Sequence, residues 1–363
     1  MRNRLFYRGQ RRSGWILTVF FMAAAILLAW LVWQFFDLES NMVYEKDRLM
    51  MVQAEEPEEA ENRTNVIRSL ELLDNVQIVV DKTDYSTVET GAGKNLSSIH
   101  AKLVPAELVT PAVLDACVTS MGSYDALILE LKPSSGFLAY SSNLAMTDSY
   151  EVNGTLDIRN YISRLKENNV WLVAQLSSVV DWALAIRYRP ISMKSATTGD
   201  VYVSNGLGWL DPYNDVTRNY LAGLMTELKT MGFDEILLSG LWLPADILRY
   251  SGQMTVTPDS QSAISSFSLY LRNVAETLEL RLSAYAEAEG LRAGTSTMMG
   301  QDLPIFFRIF DRVAFVDDFY NSNYTNAAME AVAREDTSEA RLLPVGDGYI
   351  PVNESYAVQM LPE

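Results

Sequence analysis

Residues 126–132 read ALILELK, and this stretch decides the fold class of the chain. It is short and apolar except for one acid and one lysine, and PSSG follows it, so the pattern predicts a buried strand. Similar segments recur along the chain; the predicted strands are Val76–Lys82, Ser97–Val104, Ala126–Lys132, Val170–Ser177, Glu235–Leu241, Arg292–Thr297, Arg312–Val316 and Arg341–Val345.

Amphipathic helical segments separate these strands. Thr110-Pro111 opens one helix, Asp211-Pro212 opens a second with Asp211 as its N-cap, and a third covers Ser265–Glu289. The alternation predicts a parallel sheet covered by helices, either an open doubly wound sheet or a closed (β/α)8 barrel. Seven or eight strands in about 290 residues, without a dinucleotide-binding glycine motif, favour an α/β fold of the TIM-barrel type over residues 75–363.

The composition excludes several kinds of site. His100 and Cys117 are the only residues of their types in 363. A cluster of imidazole or thiolate ligands therefore cannot form, and we expect no metal and no cofactor. The net charge of -17 argues against a nucleic-acid partner. Carboxylate chemistry, or binding without chemistry, remains; we expect His100 and Cys117 to serve packing.

The N-terminal region predicts a membrane anchor. Residues 15–36 contain no charged side chain, and five arginines lie within residues 1–14. Twenty-two apolar residues span a bilayer core of about 30 Å. The arginines predict a cytoplasmic tail, one transmembrane helix at the cell membrane and an extracytoplasmic remainder. A cleaved signal peptide is the alternative, but the run is longer than usual and lacks a small-residue cleavage site. Residues 37–74 form an acidic stalk, of which residues 41–56 could be helical.

Side-chain alternation places polar groups at the predicted barrel mouth. In Ala126–Lys132 the leucines share one face, so Glu130 and Lys132 should point inward near the C-terminal rim, where barrel active sites lie. They form either an acid/base element or an ion pair that fixes the strand end. Gln175 on the next strand lies at a comparable depth.

Further candidates follow other predicted strands. Asp317 and Asp318 come directly after Arg312–Val316, and at most one of the two can face the mouth; a capping role is the alternative. Aromatic side chains in the predicted loops could bind sugar rings or pack as lids; these are Tyr202, Trp209, Tyr213, Trp242 and Tyr320.

Four segments carry a resemblance to a known family; they are DALILELKPSSG (residues 125–136), VWLVAQLSSVVD (170–181), NGLGWLDPYNDVTRNY (205–220) and GFDEILLSGLWLP (232–244). The chain resembles the glycoside hydrolase family with an alpha-amylase-like TIM barrel, found in bacterial exported proteins of unassigned substrate. The resemblance implies a carbohydrate ligand and retains Glu130 and Lys132. It also implies an aspartate at the end of strand four, where this chain has Ser239, and arginines where it has Gln175 and Trp242.

Two hypotheses follow from this departure. In the first, the protein hydrolyses a cell-envelope polysaccharide, with Glu130 as general acid/base and Asp317 or Asp318 as the second carboxylate that glycosidases need. In the second, it is an inactive barrel that binds glycan or scaffolds, because Ser239 replaces the acid and the predicted strand five, Arg292–Thr297, offers none. The predicted substrate-binding residues are Lys132, Gln175, Trp209, Tyr213, Ser239, Trp242 and Tyr320.

Overall fold

The computed structural model describes residues 42–45, 48–51, 84–195, 198–244, 260–287, 295–296, 299–316, 339–346 and 355–360. The chain divides into two units, Met1–Ile78 and Val79–Glu363. In the first unit, strands β1 (Met42–Glu45) and β2 (Arg48–Met51) pair antiparallel. The helix expected within residues 41–56 is therefore wrong over these strands, where Val and Tyr favour extended backbone.

The predicted anchor at residues 15–36, its basic tail and most of the stalk lie outside the described residues. Across the part of the chain that the structure describes, no helix combines the length and the apolar character needed to cross a bilayer.

The second unit is built around a closed barrel. Its strands in chain order are β3 (His100–Val104), β4 (Ala126–Lys132), β5 (Trp171–Ser177), β6 (Val203–Ser204), β7 (Leu207–Gly208), β8 (Glu235–Ser239), β9 (Arg281–Tyr285), β10 (Thr295–Ser296), β11 (Gln301–Asp302), β12 (Val313–Val316), β13 (Leu342–Gly346) and β14 (Tyr356–Gln359). Eight of them, β3, β4, β5, β8, β9, β12, β13 and β14, form the barrel. They pair in parallel in chain order, and β14 closes on β3. The predicted (β/α)8 architecture is confirmed.

Helices cover the outside of the barrel. They are α1 (Pro111–Thr119), α2 (Ala145–Ser149), α3 (Arg159–Glu167), α4 (Trp182–Arg187), α5 (Asp215–Met231), α6 (Ser260–Thr277) and α7 (Leu303–Ile309). The predicted cap of α1 is confirmed, because the Thr110 side chain accepts a hydrogen bond from the Val113 N–H. The cap predicted at Asp211 is wrong: Asn214 caps α5, and the Asp211 carboxylate instead accepts from the Tyr213 N–H at 2.9 Å, forming a local turn before the helix.

Most predicted strands lie where the sequence placed them, and β4 matches residue for residue. Val76–Lys82 lies outside the described residues, and β3 is the first barrel strand. The last strand, β14, was not predicted because it is only four residues long.

The fifth barrel strand differs from its prediction. It is β9, which lies inside the expected helix 265–289, whereas Thr295–Ser296 belongs to a short antiparallel hairpin with β11. The error has a physical cause: the four-residue spacing of Leu278 and Leu282 continues the helical stripe beyond the end of α6. The helix ends at Glu279, whose φ of 52° is left-handed, without the glycine that usually marks such an end.

We expect Glu279→Gly to stabilise the protein. A left-handed conformation costs a non-glycine residue about 1–2 kcal/mol, and the greater entropy of glycine in the unfolded chain offsets part of the gain. The free energy of unfolding in urea should rise by about 0.5–1 kcal/mol. Asn169→Gly, at φ 57°, is the matched control and should gain less, because asparagine tolerates this region. A loss of stability in Glu279→Gly would contradict the explanation of the helix end.

Alternation along the strands separates two apolar layers. The leucines of β4 pack outward with the helices, while Ile128, Val173 and Leu237 fill the barrel interior. At the lower end, formed by the strand N-termini, the buried Glu235 pairs with Arg312. The upper end, formed by the strand C-termini, therefore carries the candidate site.

Candidate active site

Glu130 points into the barrel at its upper end, as predicted. The Ala106 N–H, in the loop after β3, donates to its Oε2 at 3.0 Å, and Gln175 Nε2 approaches its Oε1 at 3.4 Å. Burial raises the pKa of Glu130, the hydrogen bond from Ala106 opposes that rise, and the charge of Glu107 adds to it. The Glu130 carboxyl group is therefore held by a backbone donor and has a raised pKa, so it stays protonated to a higher pH than a free glutamate.

Gln175 and Ser239 lie on the two strands that follow. Gln175 is 8% exposed, and its Oε1 has no hydrogen-bond partner within the described residues. Ser239 is the last residue of β8 and stands opposite Ser177 on β5. Its carbonyl accepts from the N–H of Ser178 at 2.8 Å, which ties this part of the rim together. The structure thus brings Glu130 and Gln175 into contact and leaves a free amide oxygen beside the carboxyl.

A second carboxyl near the upper end, that of Glu287, was missed from the sequence. Ser283 on β9 donates to the inward-facing Glu235, so Tyr285, two residues later, belongs to the same inward face, and Glu287 follows two residues beyond the end of that strand. The Glu287 N–H donates to Gln301 Oε1 at 2.8 Å, and burial raises the pKa of its carboxyl. Strand five itself, RLSAY, contains no acid, but Glu287 follows it by two residues, and it was missed because the strand was predicted to start eleven residues too late.

Tyr285 lies near both carboxyl groups. Burial raises the pKa of this phenol, and the charges of Glu130 and of Glu287 raise it further. Glu287 is therefore a candidate for the second acid that the predicted strand five lacked.

Lys132 does not reach the mouth, so its predicted inward orientation is wrong. The side chain is fully buried, and its ammonium lies 2.8 Å from Asp181 Oδ2 and 2.7 Å from the Ser177 carbonyl. Its distance to the centroid of the Tyr220 ring on α5 is 5.9 Å, so it faces the helix layer. The cause is a register shift between Glu130 and Lys132, which breaks the alternation of the strand. Lys132 does form a buried ion pair, but with Asp181 and not with Glu130 as the alternative expected.

The loop aromatic residues pack mainly against one another. Trp209 is only 1% exposed; its ring lies 5.2 Å from that of Trp242 in an edge-to-face arrangement and 5.5 Å from that of Tyr202. Tyr213 is half-buried, with the Arg218 guanidinium 5.7 Å from its ring. The predicted sugar contact of Trp209 is therefore wrong, because its face is covered; Trp242 and Tyr213 remain partly accessible.

The remaining predicted residues lie elsewhere. Asp317, Asp318 and Tyr320 are outside the described residues. His100 begins β3 at the lower end of the barrel, where its ring stacks on Tyr356 at 4.7 Å. Cys117 is buried in α1, as expected, and burial raises the pKa of its thiol. Within the described ranges, no group of three His, Cys, Asp or Glu side chains could hold a metal ion.

Comparisons with known proteins agree with this architecture. A family model described as "Putative glycosyl hydrolase domain" matches residues 111–341, which is more than half of the chain. Among curated proteins, none matches the sequence.

The PgaB (BpsB) glycoside hydrolase domain of Bordetella bronchiseptica is similar in structure, with a TM-score of 0.52 at 14% identity over 69% of this chain and 84% of that chain. A hypothetical protein of Ruminiclostridium thermocellum gives a TM-score of 0.44 at 22% identity over 50% of this chain and 96% of that chain. The glycoside hydrolase domain of a PelA variant from Pseudomonas aeruginosa gives 0.41 at 14% identity over 69% and 84%. At these identities the PgaB likeness concerns the fold alone.

Proposed function

The chain belongs to the family described as "Putative glycosyl hydrolase domain", and from this premise we propose that it hydrolyses a cell-envelope polysaccharide with Glu287 and Glu130 as its two acids. One observation carries the proposal: Glu130 near the end of β4 and Glu287 just after β9 both lie at the upper end of the barrel, and Tyr285 lies near both. Glycosidases ordinarily use two such groups on either side of the scissile bond.

The surroundings of the two carboxyl groups assign their roles. Burial alone raises the pKa of Glu287, which favours the protonated form needed by a general acid. The pKa of Glu130 is raised as well, by burial and by the charge of Glu107, but its carboxylate accepts hydrogen bonds from the Ala106 N–H and from Gln175 Nε2, which suit an ionised group. We therefore assign Glu287 as the proton donor and Glu130 as the carboxylate that supports attack at the anomeric carbon.

The reaction then needs few further groups. Glu287 protonates the glycosidic oxygen as the bond to the anomeric carbon breaks, and Glu130 stabilises the positive charge that develops on the sugar ring. A water molecule then adds to the anomeric carbon and gives its proton to the ionised Glu287, which restores the acid. The free Oε1 of Gln175 accepts a hydrogen bond from a sugar hydroxyl beside Glu130. A buried acceptor without a partner costs about 1–3 kcal/mol, and a bound hydroxyl would recover that cost.

Ser239 favours a second candidate function. The family resemblance implies an acid at this position, and the hydroxyl of Ser239 cannot replace it without a base. In this alternative the barrel binds glycan through the same inward groups without cleaving it. Binding without hydrolysis by the wild-type protein would select this alternative.

The test compares wild type with Glu130→Gln on peptidoglycan and on α- and β-glucans. We expect wild type to hydrolyse at least one substrate, and Glu130→Gln to lower kcat about 100-fold because a neutral amide cannot stabilise the developing charge. Reducing-end release measures the rate, and Glu167→Gln on the exposed side of α3 is the matched control. Equal rates in wild type and Glu130→Gln would refute the assignment.

We also propose that residues 15–36 hold the domain at the outer face of the cell membrane. The supporting observation is the uncharged segment after five arginines. The full chain should stay in the membrane pellet after carbonate extraction, and deletion of residues 1–36 should release it. A released full-length chain that retains its N-terminus would contradict the anchor.

A further inference from the structure

Gln301 contacts the backbone of Glu287, the proton donor of the proposed reaction. Its side chain is buried, with 1% of its surface exposed, and it belongs to the short hairpin strand β11. Oε1 accepts from the Glu287 N–H at 2.8 Å, and Nε2 donates to the Leu241 carbonyl at 3.0 Å. One amide therefore joins the chain after strand five to the chain after strand four.

The sheet itself no longer holds Glu287. Pairing of β9 with β12 ends at Tyr285, and the Ala286 N–H makes a last bond to the Ala314 carbonyl at 2.8 Å. Glu287 is the first residue beyond this ladder, and its backbone N–H bonds to Gln301 instead of to a neighbouring strand.

Gln301 is itself held on both sides. Gly300 has a φ of 84°, and a side chain there would lie 2.3 Å from the Ser260 carbonyl, so the backbone is pressed against the start of α6. Asp302 caps α7 through the Ile305 N–H at 3.1 Å and accepts from Gln261 at 2.8 Å. Because both of its neighbours are fixed, the side-chain amide of Gln301 is held in one place.

We propose that Gln301 is a positioning residue that orients Glu287 for proton transfer. This inference rests on the proposed function. The amide is suited to the task because it presents one acceptor to Glu287 and one donor to Leu241 at the same time. Leucine at this position keeps the size but removes both bonds, and displacement of a catalytic group by about 1 Å can cost up to 100-fold in rate.

The experiment uses full-length protein and two sets of substrates, the polysaccharide that wild type hydrolyses and aryl glycosides of the same sugar. Gln301→Leu should lower kcat on the polysaccharide about 10–100-fold. The decrease in kcat caused by Gln301→Leu should be smaller on dinitrophenyl glycosides, because their leaving group needs no proton. KM should change little. A role in folding alone would lower both rates equally, and that result would overturn the inference.

Gln301→Glu supplies a second test. Its protonated acid can donate to Leu241 and accept from Glu287, whereas its ionised form has no donor. The ratio of its kcat to that of wild type should therefore rise as the pH falls, while the ratio for Gln301→Leu stays flat. If Glu287→Gln matches wild type, the proposed function fails; if Glu287→Gln is impaired but both Gln301 variants match wild type at every pH, only the positioning role fails.

Discussion

Glu287→Gln should lower kcat for polysaccharide hydrolysis about 10²–10⁴-fold, the usual contribution of a general acid. The amide keeps the shape of the side chain and the backbone bond to Gln301, but it has no proton to give to the glycosidic oxygen. Reducing-end release from the polysaccharide measures the loss. Glu167→Gln, which is exposed on α3, should leave the rate unchanged.

Two signatures separate an acid from a residue that merely supports the site. With dinitrophenyl glycosides of the same sugar, Glu287→Gln should recover most of the wild-type rate, because the leaving group departs without a proton. In wild type, kcat should fall as the pH rises through the raised pKa of Glu287. That alkaline decline should vanish in Glu287→Gln. Equal losses on both substrates would assign Glu287 to structure.

The same variant should not be less stable. A carboxyl group whose pKa is raised on folding contributes its full stability below its unfolded pKa, near 4.5, and loses that contribution as the pH rises through the folded value. Glu287→Gln removes the cost of ionising a buried carboxyl group, so the melting temperature of the variant at pH 7 should equal or exceed that of wild type. At pH 4 the two proteins should differ little.

The sequence was sufficient for the architecture because the barrel is specified by repeated short apolar strands. β4 shows why: its leucines and its Ile128 divide cleanly between the helix side and the interior, and alternation alone predicted that division and the direction of Glu130. Lys132 escaped the same rule, since one register shift turned it towards Asp181. Such a shift leaves no mark in the residue types.

For a related reason, the sequence predicted only one of the two acids of the candidate site, Glu130. Glu287 lies two residues beyond a strand that the helical spacing of Leu278 and Leu282 concealed. A left-handed residue other than glycine or asparagine, here Glu279, gives no sequence signal for the end of a helix. Once the strand is placed correctly, the parity rule that found Glu130 finds Glu287 as well.

The lower end of the barrel was not predicted at all, although it holds a buried ion pair between Glu235 and Arg312. Glu235 is fully buried and accepts from Ser283 Oγ at 2.5 Å and from Trp171 Nε1 at 3.0 Å. The guanidinium of Arg312 pairs with the Glu235 carboxylate, and the backbone N–H of Arg312 donates to Ser283 Oγ at 3.1 Å. Strand parity gives the directions of these side chains, but only closure of the barrel brings β8, β9 and β12 together.

Arg312→Met should lower the free energy of unfolding by about 3–5 kcal/mol, because it leaves the carboxylate of Glu235 buried without its partner. Urea denaturation at pH 7 measures the change. Arg164→Met is the matched control; it removes an exposed pair with Asp115, and such pairs contribute about 0–1 kcal/mol.

A second variant assigns the loss to the unpaired charge rather than to the lost volume. The double variant Glu235→Leu/Arg312→Met should recover most of the stability, because replacing both partners of a buried pair by apolar groups is often neutral. A double variant as unstable as Arg312→Met would show that packing, and not charge, closes this end of the barrel.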